Sequence, residues 1–422
     1  MNRKSVAVVG TLDTKGPEYG FLLTCLRYHG LEPVLIDTSL SEINPDFAPD
    51  YTVHDVARFA GEDFSRVTSL KKTEAAGIMV KGAKEIVRKM QDEGRLDGII
   101  ALGGANGTIA AGEIMKSLRV YLPKLIVSVV AAGDPRVNVG ARDIVLVNSV
   151  SDMCLNRFIQ RIIANASAAF AGMILLDKMP IIDNSKRLVA GTMLGLTQTF
   201  VTGVKELIEM APYEMVVFHT NGIGGGALEN MVDEGLFSAV LDLTMNEQIN
   251  YLNEGGFDAG ATRMDAALKK GLPMVVAPGC LDFINHWGRN IPAKFQERIF
   301  IYHNTQNTLM RTLPAETYQC GCYVGEKLNR TVAPINVMIP LQGVSANDRA
   351  GGPHGQTIDG RDGGAWHCAE AIQAFSDGLQ QTVKNTCVKI AVLDAHINDE
   401  QFIKATAETF LEIMSARRPG PI

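Results

Sequence analysis

The chain has no long apolar run, no basic surplus, few aromatics and no paired cysteine spacing, and each lack closes a class of function. No stretch approaches the roughly 18 apolar residues of a membrane helix, and the longest, over 166–176, contains Ser167 and Gly172. A membrane protein is not expected. Lys and Arg total 40 against 46 Asp and Glu, a formal charge of −6, so neither nucleic acid nor an anionic membrane is an expected partner. The seven cysteines, at 25, 154, 280, 320, 322, 368 and 387, lack disulfide or zinc spacing, which suits a reducing cytoplasm. Cys320 and Cys322 have no second pair beside them, so no metal site is expected from them. The apolar run at 6–9 is shorter than the hydrophobic region of a signal peptide and reads as a first strand.

What is present is a globular composition, 46% hydrophobic and 20% charged over 422 residues, enough for two domains or one large one. Glycine is the outlier at 41 residues, where average usage of about 7% gives about 30. Strand and helix patterns alternate from the start, as in a parallel α/β sheet. Apolar runs at 5–9, 33–36, 98–102, 125–130 and 144–147 predict strands, with helices over 18–29, 75–93 and 108–118. Met153, Phe158, Ile162, Ala166, Phe170 and Ile174 recur at helical spacing and close this half. Residues 177–187, with Pro180, Asn184 and several charges, read as a linker. The alternation restarts with strands at 189–194, 215–218, 239–241, 274–277, 335–339 and 389–393, and helices at 203–210, 227–234, 263–270 and 399–416. The expected fold is α/β: two Rossmann-like lobes, residues 1–180 and 188–422, with mainly parallel sheets and a cleft between them. Ligands of such sheets sit at the carboxyl ends of strands.

Gly103-Gly104-Ala105-Asn106-Gly107-Thr108 follows one predicted strand and opens a helix. Its glycines let the backbone approach a bound group, while the helix's first N–H groups and dipole favour an anion. That predicts a phosphate cradle. It is not a Walker A loop, because the Gly-Lys-Ser/Thr ending is absent. The same residues also suit a tight turn with Thr108 as a cap. A cation is available after the first strand, in Gly10-Thr11-Leu12-Asp13-Thr14-Lys15-Gly16. Lys15 would meet a phosphate, and Asp13 would hold a metal ion or orient Lys15, unless both serve only the turn. Asp37, at a strand end, is placed to accept ribose hydroxyls or to form a turn.

In the second half, Gly222, Gly224 and Ala227 satisfy the G-x-G-x-x-A form of the dinucleotide fingerprint, with Asp242 placed 20 residues after Gly222. This supports an NAD(P)-dependent oxidoreductase. The competing reading makes Gly222, Gly224, Gly225 and Gly226, with Asp242 and Arg263, a cradle for an anionic substrate. His219 beside the loop is a candidate general acid or base, with Glu247 or Asp282 as its carboxylate. Capping and surface charge are the plain alternatives for each. The glycine-dense stretch 342–366 reads as a disordered excursion or a lid, with Ser345, Asp348 and His354 as its reporters, and His396 stays open.

Several of these segments together resemble one family. They are residues 10–16, the loop 103–108, Val240-Leu241-Asp242-Leu243-Thr244, Pro278-Gly279-Cys280-Leu281-Asp282, residues 340–345 and 394–399. The chain resembles the family that shares the amino-terminal, ATP-binding inhibitory domain of the tomato mosaic virus resistance protein. The resemblance implies two Rossmann-like lobes, a homodimer, and ATP held through Thr11, Asp13, Lys15 and residues 103–108. Two departures stand out: Ala105 and Asn106 replace the middle of a loop that usually reads Gly-Gly-Ser-Gly-Gly-Thr, and no Arg or Lys lies near Gly226. The expected function is ATP binding, with Mg²⁺ offsetting phosphate charge. If the chain is an enzyme, it uses ATP to act on a small anionic metabolite between the lobes. An oxidoreductase and a non-catalytic nucleotide sensor or interaction protein are the alternatives.

Overall fold

The apolar runs become parallel strands because a parallel sheet is buried on both faces and needs no polar alternation. The structure, a computed structural model, describes residues 4–42, 48–175 and 185–416. The chain forms two units, Met1–Ile181 and Ile182–Ile422. The linker expected over 177–187 lies largely outside the described residues.

The first unit runs β1 (Lys4–Gly10), α1 (Leu12–Tyr28), β2 (Leu31–Asp37), α2 (Val53–Phe59), α3 (Phe64–Thr68), α4 (Lys72–Asp92), β3 (Gly98–Gly103), α5 (Ala105–Met115), β4 (Lys124–Ser128), α6 (Arg136–Val139), β5 (Val145–Asn148) and α7 (Arg157–Leu175). Its parallel sheet has the order β2-β1-β3-β4-β5. Leu22 and Phe170, from α1 and α7, pack one face, and Met79, Ile86 and Ile114, from α4 and α5, pack the other. Helix α1 begins earlier than the expected residue 18. Lys15 is non-helical (φ −133°, ψ 23°), so Pro17 falls early in the continuous part of the helix, where its missing N–H costs little.

The second unit runs β6 (Arg187–Met193), α8 (Gln198–Ile208), β7 (Tyr213–His219), α9 (Gly224–Asp233), β8 (Val240–Thr244), α10 (Asn246–Leu252), α11 (Asp265–Lys270), β9 (Met274–Gly279), β10 (Phe283–Trp287), β11 (Phe300–Tyr302), β12 (Asn307–Arg311), α12 (Pro314–Leu328), β13 (Ile335–Pro340), β14 (His354–Gln356), β15 (Asp362–Ala365), α13 (Ala369–Thr382), β16 (Val388–Leu393) and α14 (Glu400–Ala416). The parallel sheet β16-β13-β9-β8-β6-β7 repeats the order of the first unit with one strand added. Again the first and last helices, α8 and α14, share one face through Phe200, Phe402 and Phe410. An antiparallel sheet, β10-β12-β11-β14-β15, grows from the chain after β9.

In both sheets the second strand lies outside the first, and the third lies on the first strand's other side. The crevices where such sheets take ligands are therefore at the carboxyl ends of β1 and β3, and of β6 and β8.

Candidate functional site

In the first unit, Tyr19 of α1 fills the split between β1 and β3. Its hydroxyl lies 2.8 Å from the Val9 carbonyl oxygen and 2.7 Å from that of Leu102. Burial raises its pKa, so it stays a neutral donor. Gly10 is required beside it, because a Cβ there would fall 1.8 Å from the Tyr19 oxygen.

The glycine loop lies at the same crevice. A Cβ on Gly103 would meet Gly107 and Thr108 backbone atoms at 2.8 Å, so only glycine allows this turn. Gly104 is the N-cap of α5 and offers no side-chain acceptor, and Ala105 and Asn106 after it are exposed. The helix start is left open to an anion. Thr108, expected to face the ligand or cap the helix, is buried instead. Its Oγ1 lies 2.8 Å from the Gly104 carbonyl and 2.7 Å from Ser128 Oγ, which anchors the loop from below.

After β1, Thr11 Oγ1 and Thr14 Oγ1 are 2.9 Å apart. The Asp13 N–H donates to Ser39 Oγ at 3.1 Å, and Asp13 Oδ2 accepts from Ser41 Oγ at 3.0 Å. Asp13 Oδ1 is buried and has no partner. The Lys15 ammonium donates to the Met153 carbonyl. Asp37 is 5% exposed and accepts from the Ser39 N–H (3.0 Å), the Ser39 hydroxyl and the Leu12 N–H (3.5 Å). Burial raises its pKa against those hydrogen bonds. All three bonds go to Oδ1 and order the turns after β1 and β2, while no hydrogen bond from the described residues reaches Oδ2. Among the described residues, no hydrogen bond joins Asp13 or Lys15 to the loop 103–108.

The second glycine loop already holds an anion, and it is the protein's own. Glu247 Oε1 accepts from the Gly222 N–H (2.9 Å) and the Gly225 N–H (3.0 Å). Its Oε2 accepts from Arg263 Nε at 2.8 Å. Arg263, 1% exposed, also grips Asp242 with Nη1 (3.1 Å) and Nη2 (2.8 Å) and lies 3.5 Å from Glu229. Burial works against the Arg263 charge, but Asp242, Glu247 and Glu229 outweigh it and raise its pKa. Glu229 is pushed up by burial despite Arg263. A Cβ on Gly225 would fall 2.0 Å from Glu247 Oε2, so the close approach needs glycine. This corrects the expectation for Gly222, Gly224, Gly225, Gly226, Asp242 and Arg263. The Gly222 and Gly225 amides are taken by Glu247, the Gly224 amide donates to Asn221 Oδ1 at 3.3 Å, and Asp242 is held by Arg263, so a pyrophosphate or ribose at this loop would have to displace these partners.

Asp282 lies beyond β9 in a second buried network. Its Oδ2 accepts from Ser345 Oγ and from Trp366 Nε1, each at 2.8 Å, and Oδ1 has no partner. Asp348 faces Arg311 at 3.4 Å and His367 at 3.0 Å, and His396 Nε2 lies 2.9 Å from the Ser345 carbonyl. The stretch 342–366 is thus not a disordered excursion but is anchored at its start and forms the β14–β15 pair. Ser345 and Asp348 are core residues, and His354 of β14 pairs with Asp362 of β15 at 3.0 Å. Burial and neighbouring Asp348 push the Asp282 pKa up to about 6. The folded protein therefore keeps a proton that the unfolded chain releases near pH ~4. The contribution of Asp282 is fully present below that value and is lost as pH rises through about 6. Urea midpoints measured across this window should show the wild type losing stability relative to Asp282→Asn as pH rises.

His219 has no hydrogen bond to Glu247, whose two oxygens are bonded elsewhere, or to Asp282, which is buried and bonded through Oδ2 to Ser345 and Trp366. The acid–base pair expected from the sequence is not assembled. His219 instead lines a pocket of about 290 Å³ with Leu194, Phe257, Phe283, Trp287 and Leu309, at the carboxyl end of β6.

With the geometry in place, comparison with known proteins fixes the family. The N-terminal and C-terminal domains of the uncharacterised protein family UPF0261 match residues 4–179 and 186–414. The chain belongs to family UPF0261. A UPF0261 protein of Clostridium tetani is 36% identical over 98% of this chain and 100% of its own length. The ToMV resistance protein Tm-1(GCR237) of Solanum lycopersicum is 34% identical over 99% of this chain, which spans 57% of the tomato protein. Among solved structures, a UDP-GlcNAc 2-epimerase of Methanocaldococcus jannaschii aligns over 65% of this chain and 83% of its own at 10% identity. Its TM-score of 0.21 is too low to bear on function.

Within this UPF0261 chain, the residues that surround the two crevices carry little local signal. Tyr19 has the pattern of any residue of an amphipathic helix, and Glu229 that of any helix-face charge. The aromatic spacing of Phe283 and Trp287, alternating on β10, was the one available sign of the second-unit pocket.

Proposed function

We propose that the first unit binds ATP, with the phosphates at the N-terminus of α5. The observation that carries this reading is an uncapped helix start at the switch point of a doubly wound sheet. Asp13 supports it, because an unpaired carboxylate oxygen suits Mg²⁺ held mainly by phosphate and water. Such an ion supplies charge neutralisation to the phosphates. Lys15 reaches a phosphate by giving up the Met153 carbonyl for a charge-assisted bond. The seven free cysteines support a reducing, cytoplasmic setting. Calorimetry with ATP and Mg²⁺ tests the reading. Binding by the wild type and a roughly tenfold loss in Lys15→Ala are expected, the worth of one charged contact. Equal affinities remove Lys15 from the site, and no binding by the wild type removes the site itself.

A further inference from the structure

We infer that the pocket of the second unit binds an uncharged nucleobase, free or as its nucleoside, independently of the ATP site proposed for the first unit. The pocket opens at the carboxyl ends of β6 and β7, against β10 and β12 of the antiparallel sheet, on the edge where parallel sheets take ligands. Its volume of about 290 Å³ lies at the small end of ligand pockets, which run from roughly 300 to 1,000 Å³.

Its walls decide the chemistry. Among the described residues lining it there is no Lys, Arg, Asp or Glu, so the lining offers a charged ligand no permanent counter-charge and suits an uncharged one better. Arg263, the cation a substrate anion would need, is closed into its own cluster. What the pocket offers is flat apolar surface beside side-chain amides. Trp287 is 52% exposed and packs on Phe257, with ring centroids 5.4 Å apart. Gly256 lies close beneath the indole, since a Cβ there would come within 2.7 Å of Trp287 Nε1. The indole is therefore held in place while one side stays open to a stacking partner.

The polar groups are amides and imidazoles, namely Asn304, Gln306, Asn307, His219 and His303. An amide side chain presents a donor and an acceptor side by side, the pattern that matches the edge of a base. Asn307 is pre-positioned. Its Oδ1 accepts from Asn285 Nδ2 at 3.0 Å, and Asn285 is held by the Asn250 amide at 3.2 Å, which leaves the Asn307 NH₂ to donate.

The test is calorimetry and tryptophan fluorescence with adenosine and uridine. The chain has two tryptophans, and Trp366 is fully buried, so a stacking ligand should report through Trp287. Saturable quenching by a nucleoside is expected, with no gain from adding the phosphate of uridine monophosphate. Trp287→Ala should weaken nucleoside binding tenfold or more, the scale of one base–aromatic stack. Gln306→Ala, at an exposed position, should weaken it less without touching the fold. ATP affinity should be unchanged in both variants. No saturable response to either nucleoside, equal affinity in Trp287→Ala, or saturation by glucose in their place would overturn the inference while leaving the first-unit site standing. Loss of ATP binding in Trp287→Ala would overturn the separation of the two sites.

Discussion

Gly104→Asp is expected to abolish ATP binding while leaving the protein as stable as before or slightly more so. Gly104 sits at the N-cap of α5 with φ −71° and ψ −167°, a conformation open to any residue, and a Cβ there meets nothing within 4 Å. An Asp carboxylate at this position accepts from the first-turn amides and improves on glycine by a few tenths of a kcal/mol. It also puts a negative charge at the proposed phosphate position. Losing two charge-assisted bonds at about 1.5–3 kcal/mol each predicts a loss of at least 100-fold in affinity. Calorimetry and thermal melts with and without ATP read the two effects separately. A substitution that merely damaged the fold would lower both. Retained ATP binding would mean that the amides of α5 are not the phosphate site.

Arg263→Met is expected to destabilise the second unit by roughly 3–5 kcal/mol, the cost of stripping the partner from a buried ionic group. Asp242, Glu247 and Glu229 would remain facing one another without their cation. That is a large part of the roughly 5–15 kcal/mol that holds a domain folded. Arg263 holds the Glu229 pKa down against burial, so removing the cation raises it further in the folded state. The variant should therefore regain stability as pH falls from neutral, because the folded form then takes up protons that the unfolded chain has released. Arg263→Lys should fall between, since an ammonium cannot span Asp242 and Glu247 as the guanidinium does. Urea midpoints at neutral and mildly acid pH check both statements. An Arg263→Met protein as stable as the wild type would deny the cluster its structural role.

The parallel sheets were legible because buried strands are written as unbroken apolar runs, as in Val6 to Val9, β3 and β9. The antiparallel sheet was not. β11, β14 and β15 are three or four residues long, and the last two are polar and glycine-rich, so they carry no period to read. The glycine turn of the first unit was legible as an uncapped helix start after a strand because its geometry is local to one strand and one helix. The loop over 222–226 carries the same local signature, yet its amides are taken by Glu247, which only the tertiary fold brings to them. The glycine surplus likewise has causes that local patterns do not show. Gly321 and Gly378 let α12 and α13 meet, because a Cβ on either would fall 2.3 Å from a backbone oxygen of the other helix.

The central claim is that the phosphates of ATP lie on the start of α5. A crystal structure of the complex with ATP and Mg²⁺ tests it most directly. Phosphate oxygens are expected within hydrogen-bond distance of the Ala105, Asn106 and Gly107 amides, with Asp13 facing the metal ion and Glu247 still seated on Gly222 and Gly225. Phosphates on the loop over 222–226, with Glu247 displaced, would contradict it.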